Sequence, residues 1–478
     1  MRTCKQAHKQ YSVDHSNDVT NSYLLDIQFV LAKISWFKRL WPVQEYILAR
    51  NAVLIYGTEK INKTHIRELI IRVRHLLNDG FQGLVTMDAA LSTLHAYSYV
   101  TYCVENKETA KFFSRLRWFS TKYPSDKVFA VQGLLQATGV LLPDPDYTKP
   151  YTTVYREAYM ALIQHNRRLT SLTLCSMISS IPNLPSWVPN LSIIEYPHTP
   201  STSPFKATQQ TSFQFSEDGF RLEVLGVQLD KVAVVAGKHL IEPEYKDASN
   251  FAQFDSEMIM EGLTTGGTHG NLARILWNIR ALAVFVQFAE REFSGLGKDE
   301  ALKKLCHCQQ GVATALTWTN SVDNTFPAFR EWARRVTASS IPAATDDEVS
   351  QLSAETSTSI YLSCLKLIRD PRMAYLTSTE DFQRFRWLCQ EPTVIQLHEK
   401  YDSYLRHMTI FKTENGRLGI CQYPVEPLDA IVYFPGEDTP FVLRRDGQHF
   451  KLVSPAFVGG LAEDFDEGMI SYTEFSII

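Results

Sequence analysis

Apolar and polar residues alternate along the chain with two different periods, and the change of period divides it. From Asn21 to about His165 the pattern is helical. In "HIRELIIRVRHLL", Ile66, Leu69, Ile70, Val73, Leu76 and Leu77 recur at helical spacing, while Arg67, Arg72 and Arg74 fall mostly on the other face. Asn78-Asp79-Gly80 follows as a stop signal. "MDAALSTLHAYSYV" and "YTTVYREAYMALIQH" have the same period, and Pro150 suits the first turn of the latter. Prolines then cluster at 182, 185, 189, 197, 200 and 204, which predicts a linker or an extended wrap. In "FQFSEDGFRLEVLGVQLDKVAVVA" the period falls to two. Phe213 and Phe215 alternate with polar residues, Asp218-Gly219 marks a hairpin, and Leu222, Val224 and Val227 follow, giving two or three strands.

Helical patterning returns over 253–335. Residues 337–357 are poor in apolar side chains and predict a mobile loop, and helices resume over 358–407. From 408 to 478 short β-rich runs are punctuated by Asn415-Gly416, Pro435-Gly436 and Asp446-Gly447, the spacing of a small barrel or a strongly bent sheet. The predicted class is therefore α+β. Its regions are a helical block over 1–195, a linker with short strands near 213–236 and then helices over 196–336, the loop, a second helical stretch, and a barrel-like end. No internal repeat is visible.

Composition changes this picture little. The 478 residues are 45% hydrophobic and 21% charged, ordinary globular usage, and a formal net charge of −4 argues against a nucleic-acid scaffold. Residues 1–75 hold twelve Lys/Arg against six Asp/Glu, and Leu461–Ile478 holds five acids and no base; both biases suit solvated surface. Eight scattered cysteines fit reduced thiols in a cytoplasmic setting. The polar N-terminus has no signal-peptide core, and Asn278 and Arg280 interrupt the most apolar stretch, so no membrane span is expected.

Candidate chemistry centres on "SWFKRLWPVQEYILA", Ser35–Ala49. It packs Trp36, Phe37 and Trp41 around Arg39, then sets Gln44 and Glu45 in an apolar run. Pro42 fits the first turn of a helix that turns Val43, Ile47 and Leu48 inward. Glu45 near that helix start interacts well with the dipole and can pair with Arg39 in a structural joint. The functional alternative makes Glu45 an acid or base, with Arg39 and Gln44 as ligand contacts in the same pocket. Asp126 is a cap or turn residue ahead of "VFAVQGLL", and Lys127 is its candidate anion contact. Trp187, between Pro185 and Pro189, anchors an extended segment on a core. "TTGGTHGN" (264–271) lacks the Lys-Ser/Thr of a phosphate loop. "CHC" (Cys306–Cys308) lacks two ligands for tetrahedral zinc. No cofactor and no metal are expected.

Taken in order, these segments resemble the fungal heterokaryon-incompatibility (HET) domain. "SWFKRLWPVQEYILA" is similar to that family's aromatic, arginine, tryptophan and Gln-Glu run. "YPSDKVFAVQGLL" is similar to its Pro-x-Asp-Lys-Val-Phe-Ala segment, "PDYTKPYTTVYREA" to the helix start that follows, and "LPSWVPNLS" to its close. "GVQLDKVAVV" and "LDAIVYFPGEDTPFVLRR" are similar to regions carried downstream. The likeness covers roughly 25–195 and then islands. The family's leading Ser-Tyr-x-Trp-Gly and Trp-Ile-Asp segments have no counterpart here, so the expectation is a shortened HET domain, lacking its first half and weak or inactive as executor. The resemblance implies fungal nonself recognition, cell death on fusion of unlike strains, and protein partners. The alternatives are an accessory enzyme or an interaction module in a fungal biosynthetic or regulatory pathway.

Overall fold

A computed structural model describes residues 35–56, 58–64, 97, 99–116, 119–177, 180–192, 211–236, 285–313, 326–327, 329–330, 333, 408–422, 424–461 and 471–478. The predicted helix over 66–77, the loop over 337–357, the helices over 358–407 and "TTGGTHGN" lie outside them. The chain forms two compact units. One comprises Met1–Arg167 with Asn190–Glu195, and the other comprises Arg168–Pro189 with Tyr196–Ile478.

The first unit is mainly helical. Its described elements are α1 (Ser35–Lys38), α2 (Trp41–Leu48), the hairpin β1 (Val53–Tyr56) and β2 (Glu59–Asn62), α3 (Thr109–Leu116), α4 (Asp126–Phe129), α5 (Gln132–Thr138) and α6 (Tyr151–Asn166). Helix α6 has the predicted stripe: Val154, Tyr155, Ala158, Tyr159, Leu162 and Ile163 are all buried. Pro150 is its N-cap, extended at ψ 139°, one position ahead of the expected first turn. Helix α5 stops where Gly139 takes φ +97°, and a Cβ there would also lie 3.0 Å from the His165 ring. An aromatic cluster fills the space beside α2. Tyr97 stacks on Trp36 at 6.2 Å and meets Tyr46 and Phe119 edge-on at 5.7 and 5.2 Å.

Helix α2 departs from its expected orientation. Pro42, Val43 and Tyr46 are buried, Ile47 is half-buried, and Leu48 is 47% exposed. The helix is only eight residues long. It ends at Ala49, where Lys63 Nζ donates to the carbonyls of Ile47 (3.0 Å) and Ala49 (2.8 Å) and lies over the Tyr46 ring. That lysine takes the last turn's carbonyls, and the inward stripe shifts by one residue to Tyr46.

The second unit holds one antiparallel sheet of eight strands beside helix α7 (Lys298–Ala313), which makes the chain α+β. The strands are β3 (Phe213–Phe215), β4 (Leu222–Val235), β5 (Met408–Thr413), β6 (Leu418–Gln422), β7 (Ala430–Tyr433), β8 (Phe441–Asp446), β9 (His449–Val458) and β10 (Thr473–Ile477). The predicted turns all appear. Asp218-Gly219 joins β3 to β4, Asn415-Gly416 joins β5 to β6, Pro435-Gly436 lies between β7 and β8, and Asp446-Gly447 joins β8 to β9. The fourteen residues of β4 pair with β3 and β10 first, then with β7, then with β5, and register shifts fall between Gln228/Asp230 and Val232/Val234. Pairings run β4–β5–β6–β9–β8–β7 and return to β4.

Strands β5, β6 and β7 and the latter part of β9 are buried on both faces. Phe411, Cys421, Ala456 and Val458 point into one apolar cluster with Val232, Ile431 and Val442. Ile410, Ile420 and Phe457, on alternate positions, pack with Leu302, Leu305 and Cys306 of α7. Burial on both sides explains why "LGICQ" is buried throughout instead of alternating. A Cβ on Gly419 would run into the Phe411 ring across the β5–β6 pair, so only glycine fits there.

The sequence reading carries one helical region through residue 195. By contacts, Arg168–Pro189 goes with the β unit. Trp187 shows why. It is 0% exposed, donates Nε1–H to the Phe220 carbonyl at 3.1 Å and packs on Phe215 at 5.3 Å. Ser186 donates its N–H (3.0 Å) and its hydroxyl to the Ile478 carbonyl and accepts the Leu452 N–H at 2.8 Å.

Candidate functional site

The predicted site residues of the helical unit gather around α2, α4 and α5. Gln44 is half-buried, and its Oε1 accepts the Gly133 N–H at 2.8 Å. Gly133 is the second residue of α5, and no side chain of the N-cap residue Val131 satisfies that end. The amide of Gln44 therefore fills an orphan donor of a helix start. A Cβ at Gly133 would lie 3.0 Å from this same oxygen, so the absence of a side chain lets the two helices approach.

Glu45, one residue on, is exposed and points away from this joint. Arg39 is also exposed and forms no ion pair with it; its backbone bridges to Ser120 instead, with Leu40 N–H donating to Ser120 O (3.1 Å) and Ser120 N–H to Lys38 O (2.7 Å). Trp41 is 37% exposed on the outer side of α2, and Trp36 is half-buried against Tyr97. The three polar candidates of the opening stretch, Arg39, Gln44 and Glu45, do not converge on one pocket.

Asp126 and Lys127 are both buried at 4% exposure. Lys127 points inward. Its Nζ donates to the Leu116 carbonyl at 3.1 Å and to the Phe119 carbonyl, closing the C-terminal end of α3 where a cation is favoured. Asp126 is the first residue of α4; the residue before it, Ser125, makes no side-chain cap. The Asp126 carboxylate accepts the Tyr147 hydroxyl at 2.8 Å. Burial pushes the Tyr147 phenol up to about 12, and the Asp126 hydrogen bond and charge add to the effect. The Tyr147 ring packs edge-on against Phe129 at 5.0 Å and Tyr123 at 6.3 Å. Tyr155 on α6 donates to the Pro124 carbonyl at 2.7 Å and shares a 2.9 Å hydrogen bond with Ser192.

Beside this cluster lies a small open cleft with a volume of about 20 Å³, with Val128, Phe129, Leu142 and Pro143 among its apolar walls and Asp144 and Asp146 among its polar ones. Thr148 donates its hydroxyl (2.6 Å) and N–H (2.9 Å) to Asp146, and those bonds hold the Asp146 carboxyl below its usual range. Lys149 and Glu157 pair across it at 2.8 Å. The Thr148 bonds occupy the Asp146 carboxylate in a local turn, and Asp144 and Asp146 give this wall of the cleft negative charge.

The β unit carries polar groups that the sequence reading passed over. Asp230 in β4, with its side chain 1% exposed, pairs with Arg417 at 3.1 Å and accepts the Lys231 N–H at 2.8 Å. Asp429 takes both prongs of Arg444, each at 2.9 Å, and accepts the Glu426 N–H at 2.8 Å. Each aspartate follows a leucine in an apolar run, "QLDKV" and "PLDAI". A carboxylate interrupting a strand pattern is the signal that could have marked them. Cys306 and Cys308 are buried on α7; Cys308 donates to the Leu418 carbonyl at 3.1 Å, and burial pushes its thiol up to about 12. Among the described residues no group of three His, Cys, Asp or Glu side chains is placed to hold a metal ion, and no helix is long and apolar enough to cross a membrane.

No family model matches the chain, and it matches no curated protein and no solved structure.

Proposed function

We propose that this chain is a HET-like protein of fungal nonself recognition that works as an interaction scaffold through protein partners. The observation that carries this reading is the use made of the motif residues. Gln44 joins α2 to α5, Asp126 joins the "YPSDK" and "PDYTK" segments through Tyr147, and Tyr155 ties Pro124 to Ser192. The segments whose order carries the resemblance are joined to one another by these hydrogen bonds. Glu45 is left as exposed surface in this reading, with no catalytic duty. The return pairing of β7 with β4 supports reading the β unit as a small closed barrel, a rigid platform without free edges in the ring.

The test is expression of the chain in a fungal host, scored for growth arrest and for viability after fusion with an unlike strain. The reading expects little or no arrest from the chain alone and arrest once the family's leading segments are joined to it, an arrest that survives Glu45→Gln and is lost on Asp126→Ala. Fused cells of the joined chain that grow like the untransformed control would contradict it. Turnover of a nucleotide or common cofactor by the purified chain would favour the enzyme alternative.

A further inference from the structure

The cleft near Tyr147 joins apolar walls to carboxylates that its own lysine leaves uncompensated. The Lys149 ammonium bonds both Glu157 oxygens, at 2.8 and 2.9 Å. Asp144 is exposed and has no hydrogen bond or ion pair among the described residues. Both Thr148 bonds to Asp146 end on Oδ1, so Oδ2 accepts none among the described residues. Gln132 of α5 lines the same cleft. Its Nε2 donates to the Pro143 carbonyl at 3.0 Å, which fixes the way the amide faces, and its Oε1 is enclosed without a hydrogen-bond partner among the described residues. An enclosed acceptor without a donor is costly, and a donor seated in the cleft relieves it. The wall residue Phe129 continues outward through the rings of Tyr147 and Tyr123, both exposed.

We infer that this cleft is a docking site for a lysine side chain presented by a protein partner. A volume of about 20 Å³ holds one water-sized group. An ammonium head is that size and brings three donors, whereas a guanidinium is a wider planar fork. The head meets the negative charge of Asp144 and Asp146, and the methylene stem lies along Phe129, Leu142 and Pro143. An ion pair this open to water contributes little by itself, so the neighbouring tyrosines must share in the contact. Exposed aromatic rings beside an anchoring cleft are what a protein surface packs against, and a free amine or a metal ion would make no use of them. The inference rests on the reading of the chain as a scaffold for protein partners and adds one surface and one anchor to it.

Methyl NMR of the full chain, following Val128, Leu142 and Val154 of the cleft wall, tests it. The probes are acetyl-Tyr-Lys-Tyr-amide and the same peptide with Nε-acetyl-lysine or norleucine in place of lysine. The lysine peptide should shift these methyl signals saturably, and the other two should bind about tenfold more weakly or not at all. Rising salt should weaken the lysine peptide alone. Asp144→Asn combined with Asp146→Asn, which keeps an acceptor for Thr148, should bring the lysine peptide down to the level of norleucine. If that variant fails to fold, Asp144→Asn alone, on exposed surface, should still weaken binding severalfold. No shift with the lysine peptide, an equal response to norleucine, unchanged binding by Asp144→Asn, or shifts with calcium chloride and none with the lysine peptide would each overturn the inference. The measurement uses the purified chain, so its outcome is separate from that of the fusion assay.

Discussion

Replacing Lys127 by methionine separates a structural lysine from a ligand-binding one. The substitution keeps the length and packing of the stem and removes the ammonium group. Bonds to the Leu116 and Phe119 carbonyls are lost. Hydrogen bonds to charged groups contribute about 1.5–3 kcal/mol each, and part of that returns because a buried ammonium no longer has to be desolvated. Leu116 O keeps the Phe119 N–H at 3.2 Å, and Phe119 O is left short of a donor. The net cost is about 2–3 kcal/mol, equivalent to about 4–12 °C in melting temperature for a unit of this size. Urea unfolding followed by tryptophan fluorescence measures it, with Lys127→Arg as a control for charge without the same reach. An unchanged midpoint for Lys127→Met, together with loss of binding to inorganic phosphate that the wild type shows, would refute the reasoning and restore Lys127 as an anion contact.

Gln44→Ala leaves the Gly133 N–H without its acceptor and should lower stability by about 1 kcal/mol in the same assay, the usual cost of a lost helix cap. Glu45→Gln, on exposed surface, should stay within about 0.5 kcal/mol of wild type. Asp429→Ala strips Arg444 of both prongs. Loss of a buried partner costs about 3–5 kcal/mol, and the 23% exposure of the Arg444 side chain brings the expected cost to about 2–4 kcal/mol by urea unfolding.

What could be read in the sequence and what could not follow from different physics. Local signals carried the elements: a periodic stripe gave α6, and dipeptide turns gave the β hairpins. Trp187 was legible as an anchor because prolines on both sides leave an extended segment little else to bury. The side chain that matters at Gln44-Glu45 was not legible. Neighbours on a helix point about 100° apart, and only the position of α5, some ninety residues away, picks Gln44. The inward course of Lys127 was not legible for a related reason. A lysine at a helix start reads as an anion contact, and its burial against the α3 carbonyls is a tertiary fact with no local signature. Asp230 and Asp429 were hidden because their arginines, Arg417 and Arg444, lie 187 and 15 residues away in the chain.

The central claim is that the motif residues bond to each other and hold the scaffold. A double-mutant cycle on Asp126→Ala and Tyr147→Phe measures it most directly, by urea unfolding of both single variants and the double. The claim predicts a coupling of about 1 kcal/mol or more, the lower end for a hydrogen bond to a carboxylate because Tyr147 is 56% exposed. Strictly additive effects would mean that the two segments do not support each other, and would contradict it.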